Sequence, residues 1–243
     1  MEFWLEWARG PAFIFAFTFM LLGLTRHVAL TIWEVARAMY RAGDKTLPYR
    51  QILVATLKWL FPMEKLKDRL ILSLTSVSFH IAILIVPIFL GGHIALWVRG
   101  LRISRLVTPN QLIPWVAIPN QLADVLTIIA IITAVALVIQ RAAAGPTRAL
   151  SRFQDYVIPL IVAVPFASGF LVMHPAINPF SYQAMLFIHV MSANVLFVLI
   201  PITKLSHMAL IPAVQLVSEV AWRWPPDAGS RLAVTLGKEN EPI

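Results

Sequence analysis

Six histidines stand in a chain that is otherwise poor in ionisable groups, and four of them fall in two long apolar stretches. His189 and His207 are 18 residues apart. On one continuous helix that is five turns of 3.6 residues, so both rings project from one face, about 27 Å apart along the axis. A hydrocarbon core is about 30 Å thick, so such a helix sets one imidazole toward each membrane surface. His80 and His93, in the other stretch, offer a partner for each. Neutral imidazole is a good ligand for iron, and two pairs of imidazoles at two depths is what two stacked bis-histidine haems require. The chemistry expected of such a set is electron transfer across a bilayer.

The elements that must hold these residues follow from composition. The 243 residues are 59% hydrophobic and only 13% charged, with mean hydropathy +0.77. An ordinary soluble domain is about 25% charged. The expected fold is therefore all-α, a single polytopic bundle with apolar spans near 11–32, 70–97, 121–140, 156–174 and 183–212, followed by a tail over 213–243. The runs are continuous rather than alternating, which selects helices over barrel strands. Asn120, after Pro119, suits an N-cap for the third span, and His174-Pro175 ends the fourth. The acidic opening, with Glu2 and Glu6, argues against a cleaved signal peptide. Residues 49–61, where Ile52, Leu53, Leu57 and Leu60 mix with Arg50 and Lys58, suit either an interfacial amphipathic helix or a loop helix packed on the bundle.

Charge fixes the expected orientation. Arg37, Arg41, Lys45, Arg50, Lys58, Lys65, Lys67 and Arg69 lie between the first two spans, Arg141, Arg148 and Arg152 between the third and fourth, and Lys204, Arg223, Arg231 and Lys238 toward the C-terminus. The opposite side holds Arg9, Arg99, Arg102 and Arg105. The positive-inside rule then places the N-terminus outside and the C-terminus in the cytoplasm of a prokaryotic inner membrane. The net charge of +8 is explained by topology, because no basic face interleaved with aromatics is present to bind nucleic acid. The eight tryptophans, Trp97 among them, fall at or beyond span ends and are expected to form an interfacial belt.

With no cysteine, the chain holds neither a cysteine-ligated iron–sulfur cluster nor a covalent c-type haem. Its haem would be b-type. On the expected topology the second span runs outward and the fifth returns, so His80 pairs with His207 and His93 with His189. Histidines hydrogen-bonded across helices are the alternative. His80 and His93 are 13 residues apart, about 3.6 turns, so an ideal helix turns them to nearly opposite faces. Pro87, Gly91 and Gly92 lie between them and suit a kink or bulge that rotates the later half. His27 competes with His80 for its place, and His174 with His93.

Other polar groups at membrane depth have two readings each. Arg26 suits a haem propionate or snorkelling to the headgroups. Asp124 and His174, both toward the outer side, are candidates to accept protons at a quinone site, while Asp124 equally suits the positive end of a helix dipole. No nucleotide-binding glycine motif, nucleophile elbow or hydrolytic carboxylate pair occurs, so no catalytic residue is assigned.

The run from Phe187 to Pro212, with His189 and His207 followed by Met208-Ala209-Leu210-Ile211-Pro212, resembles the last span of the gamma subunit of respiratory nitrate reductases. The run Phe79-His80 through Gly91-Gly92-His93 resembles that family's two-histidine second span, although the family sets its two histidines closer together. The wording Thr203-Lys204-Leu205-Ser206-His207-Met208 is nearer to relatives in sulfite-reductase-linked and heterodisulfide-reductase-like membrane complexes. The resemblance implies a five-helix cytochrome b with two haems between spans two and five. It also implies quinol oxidation near the outer haem, electrons passing to a cytoplasmic iron–sulfur subunit, and further membrane or periplasmic partners. A haemless membrane anchor, or a small proton-coupled transporter using the histidines as a relay, is the rival expectation.

Overall fold

A computed structural model describes residues 1–42, 48–60, 69–100, 116–222 and 228–240. Among the described residues every extended element is a helix, and the only β-like feature is an isolated bridge between Leu90 and Ile118. Five helical stretches among the described residues are long and apolar enough to cross a membrane: Glu2–Tyr40, Leu70–Phe89, Asn120–Ala143, Phe153–Met173 and Tyr182–Ile202. The protein is an all-α, multi-pass membrane bundle. Its chain divides into two units, one of Met1–Met20 with Leu66–Ile202, the other of Leu21–Lys65 with Thr203–Ile243.

In the first unit, α1 (Glu2–Trp7) continues through a π-helical turn over Ala8–Ala12 into α2 (Phe13–Ala42). The sequence places the first span at 11–32, whereas the structure carries Arg9, Gly10 and Pro11 within one helical run over Glu2–Tyr40. Pro11 has no N–H to give, and the wider turn accommodates its ring. Asn194 Nδ2 donates to the Ala8 carbonyl at 2.9 Å, which ties the first span to the last. Asn194 is 4% exposed. Asn194→Leu leaves that buried carbonyl short of a donor, so we expect a loss of about 1–3 kcal/mol, read as a lower thermal midpoint in detergent.

The remaining helices of this unit are α4 (Leu70–Phe89), α5 (Gly91–Gly100), α6 (Asn120–Ala143), α7 (Gly145–Leu150), α8 (Phe153–Met173) and α9 (Tyr182–Ile202), with α3 (Tyr49–Leu60) belonging to the second unit. Neighbours pack in the order α4, α6, α8, α9, and the π turn closes on α9 and α5. Small side chains make the close approach possible: Ala123, Thr127, Ala130 and Ala134 recur every three or four residues on one buried face of α6. Larger apolar residues such as Ile71, Ile132 and Ile139 point outward, as lipid contact requires. Antiparallel register is fixed by contacts at both ends of α6. Gln140 Nε2 donates to Thr75 Oγ1 at 2.9 Å near the start of α4, and Asp124 lies 3.5 Å from His174 at the end of α8.

Helices α6 and α8 fall close to the expected spans, with one change at a boundary. Asn120 is the first helical residue rather than the cap, and Pro119 holds the cap position with no side-chain hydrogen bond. The second span is not one helix over 70–97. It stops at Phe89, Leu90 is extended (φ −70°, ψ 132°), and α5 begins at Gly91. At the break, the Val86, Pro87 and Phe89 carbonyls all have donors. The Val86 oxygen takes Leu90 N at 3.1 Å and His93 Nδ1 at 3.0 Å, Pro87 takes the Trp97 indole N–H at 2.8 Å, and Phe89 takes Ile118 N at 2.9 Å. Trp97 is therefore no interfacial belt residue. Its ring packs with Phe13, Phe17 and Phe197 at centroid distances of 5.4–6.0 Å, and Phe13 is 1% exposed.

The fifth span also ends early, at Ile202 rather than 212. Thr203 is extended (φ −123°, ψ −175°), its hydroxyl caps Leu205 N at 3.3 Å, and a 3₁₀ turn over Lys204–Ser206 leads into α10 (His207–Trp222). Pro201, near the end of α9, lacks the N–H that the ladder needs.

The second unit holds the later part of α2, α3, α10 and α11 (Ala228–Thr235). The 49–61 segment is helical over Tyr49–Leu60 and packs on α10, with Ile52 and Thr56 buried and Leu53, Val54, Leu57 and Trp59 exposed.

Candidate cofactor site

His189 projects from α9 onto α8 at the place where α8 has no side chain. A Cβ on Gly169 would lie 2.9 Å from His189 Cε1 and 3.1 Å from Nδ1. The missing methyl lets the ring reach over the helix to the carbonyl of Pro165, one turn earlier, where Nδ1 donates at 2.8 Å. Glycine is needed here for close approach, not for backbone conformation.

His93 meets this ring from α5. The two ring centroids are 5.9 Å apart and their planes 16° from parallel. After the break at Leu90, His93 Nδ1 reaches back from α5 to the Val86 carbonyl at 3.0 Å, which also accepts Leu90 N. Between His80 and His93 the helix breaks, with Gly91 and Gly92 at the restart and Pro87 still inside α4.

Each imidazole of the pair spends Nδ1 on a backbone carbonyl, which can only accept, so Nδ1 carries the proton and Nε2 keeps its lone pair. That is how metal-binding histidines are held, with the second nitrogen setting tautomer and ring orientation. Among the described residues no group of three or more His, Cys, Asp or Glu could hold a metal ion. A bare zinc ion takes three or four protein ligands. Two imidazoles suit iron already held by a macrocycle, which needs axial ligands alone. With metal–imidazole bonds of about 2 Å, ring centres 5.9 Å apart would leave room for one metal atom held by both rings. The residues fit a b-type haem.

The other candidates are placed as follows. His80 lies in α4 of the first unit, half-buried, with Nδ1 2.7 Å from the Ser76 carbonyl and its ring edge-on to Phe79. His207 belongs to the second unit and opens α10, exposed, with Nδ1 2.8 Å from the Lys204 carbonyl. His189 and His207 do not share one continuous helix, which removes the same-face premise for them. Arg26, exposed, and His27, half-buried, are consecutive residues of α2 in the second unit. His174, offered as a substitute for His93, instead caps α8 and stands beside Asp124.

Gly169, Trp97 and Asn194 escaped sequence reasoning. Each acts through a partner far along the chain, and the one local signal is a small or polar residue inside an apolar run.

A protein of Nitratidesulfovibrio vulgaris is 28% identical to this chain over 180 residues, which cover 73% of this chain and 74% of that protein. No family model matches the chain, and no solved structure matches it.

Proposed function

We propose that the protein is a b-type cytochrome subunit of a prokaryotic inner-membrane redox complex, exchanging electrons between the quinone pool and a cytoplasmic iron–sulfur partner. The observation that carries this is the His93–His189 pair, with both Nδ1 atoms anchored and the rings 5.9 Å apart. A haem bound there supplies one-electron chemistry at a potential that the axial ligands and their hydrogen bonds set. The polypeptide does the rest. His93 and His189 would hold the group, Val86 and Pro165 orient their rings, Gly169 makes room, and Trp97 of α5 packs with Phe13, Phe17 and Phe197 in an apolar aromatic cluster.

A second haem with His80 and His207 as ligands rests on the sequence, as does an orientation with the N-terminus outside. So does a role for Arg26 toward a propionate. In that orientation His93 and His189 are the outer pair, near the face where quinol exchange belongs.

Purified protein is expected to show a sharp b-type α band on dithionite reduction, and a short-chain naphthoquinol is expected to elicit the same band. A colourless preparation from haem-replete cells supports the haemless anchor or proton-coupled transporter instead, with the histidines as packing or relay groups.

A further inference from the structure

The sequence offers Asp124 and His174 as separate residues near one end of the bundle; the structure brings them into one constellation. His174 ends α8, its ring lies against Phe170 at 4.0 Å and 23°, and its Nδ1 is 2.8 Å from the Phe170 carbonyl. Its plane and its Nδ1 are therefore fixed, and only the Nε2 edge is left to act. That edge faces Asp124 Oδ2 at 3.5 Å, across from the first turns of α6.

We propose that Asp124 and His174 together accept one proton from a quinol hydroxyl; this rests on the cytochrome reading above. The Phe170 carbonyl has no proton to give, so Nδ1 is the protonated nitrogen. Without a further proton, a lone pair on Nε2 faces a carboxylate oxygen, and the two repel. With one proton on Nε2 the contact is an ion pair with the carboxylate, and with the proton on the carboxyl it is a neutral O–H facing Nε2, so either way the repulsion is gone. The two facing atoms thus offer a place for one proton between them.

Position and access agree. His174 is five residues beyond Gly169 on α8, about 7–8 Å by helical rise from the level of the His93–His189 pair. The two side chains are 35% and 36% exposed, so a hydroxyl can approach from outside the bundle. The balance is simple. A quinol gives up two electrons and two protons, its two O–H bonds break, and a quinone remains. A one-electron acceptor held by His93 and His189 would take the electrons singly, two oxidised equivalents being reduced per quinol. One proton goes to the Asp124–His174 pair, the other to water.

Asp124→Asn and His174→Gln remove the acceptor, and Asp124→Glu retains one. In detergent or lipid nanodiscs, naphthoquinol-driven reduction should slow at least tenfold in the first two, since a positioned general base contributes about 10²–10⁴-fold. Haem content and the dithionite-reduced spectrum should not change, and Asp124→Glu should stay within about threefold of the unaltered protein. Fluorescence titration with heptyl-hydroxyquinoline N-oxide, a quinol analogue, reads the same site without turnover and should show at least fivefold weaker binding to both. Full haem with variants that bind and react as the unaltered protein does would overturn the pair's role. So would loss of haem from His174→Gln, which makes that residue a ligand or a structural post. A colourless unaltered protein rejects the underlying cytochrome reading, and the proposal with it.

Discussion

Gly169→Ala should remove one of the b-type components and at least half of the bound haem. The added methyl would sit 2.9 Å from His189 Cε1, closer than real Cβ contacts come, so something must move. The ring cannot simply swing aside, because its Nδ1 is tied to the Pro165 carbonyl on the same helix as the glycine. It must give up that bond and its approach to His93 together. A single methyl in an α-helix otherwise stabilises it slightly, by about 0.5–1 kcal/mol relative to glycine. The effect on haem is therefore opposite in sign to the local helix effect, which separates it from general unfolding. Gly145→Ala is the control, since nothing lies within 4 Å of its Cβ position. It should keep full haem. Pyridine haemochrome quantitation on both variants checks the expectation, and wild-type haem in Gly169→Ala contradicts it.

His93→Ala should produce a loss of similar size, with one added feature. Deleting the imidazole removes a donor to the Val86 carbonyl, but Leu90 N still donates to that oxygen at 3.1 Å. The helix break therefore keeps its main hydrogen bond, and Trp97 keeps its own to Pro87 at 2.8 Å. The fold should survive with a hole where the ligand stood. Imidazole at roughly tens of millimolar, the range that suits a weak, untethered ligand, should then restore the lost component. Rescue in His93→Ala and none in Gly169→Ala distinguishes a missing ligand from a displaced one. An unchanged difference spectrum for His93→Ala would remove His93 from the site.

The sequence carried the long elements well and the breaks poorly, for a physical reason. Hydropathy measures the cost of putting side chains in lipid, and that cost is low on both sides of Leu90 and of Thr203. It does not register which carbonyls lack donors, and those carbonyls decide where α4 and α9 stop. Pro87 and Gly91 signalled a disturbance, yet the extended residue is Leu90, stabilised by Ile118 from elsewhere in the chain. Hydropathy windows began the first span at residue 11, but Pro11 lies inside the helical run, in a π turn whose Ala8 carbonyl is taken by Asn194.

The candidate site divides the same way. Histidine content and antiparallel order pointed to His93 with His189, and these two rings meet. The five-turn argument that joined His189 to His207 presumed one helix, and the structure interrupts it at Thr203. Gly169 carries no chemistry of its own, so only the adjacency of α8 and α9 reveals its role. Asp124 and His174 were each visible as polar groups near a span end, but their contact depends on α6 lying antiparallel to α8.

The most direct test is haem content and the dithionite-minus-oxidised spectrum of four proteins: the unaltered chain, His93→Ala, His189→Ala and the double variant. The account predicts a b-type spectrum in the first, loss of one and the same component in both single variants, and no further loss in the double. Different components lost by the two single variants, or an unaltered chain with no haem, would contradict it.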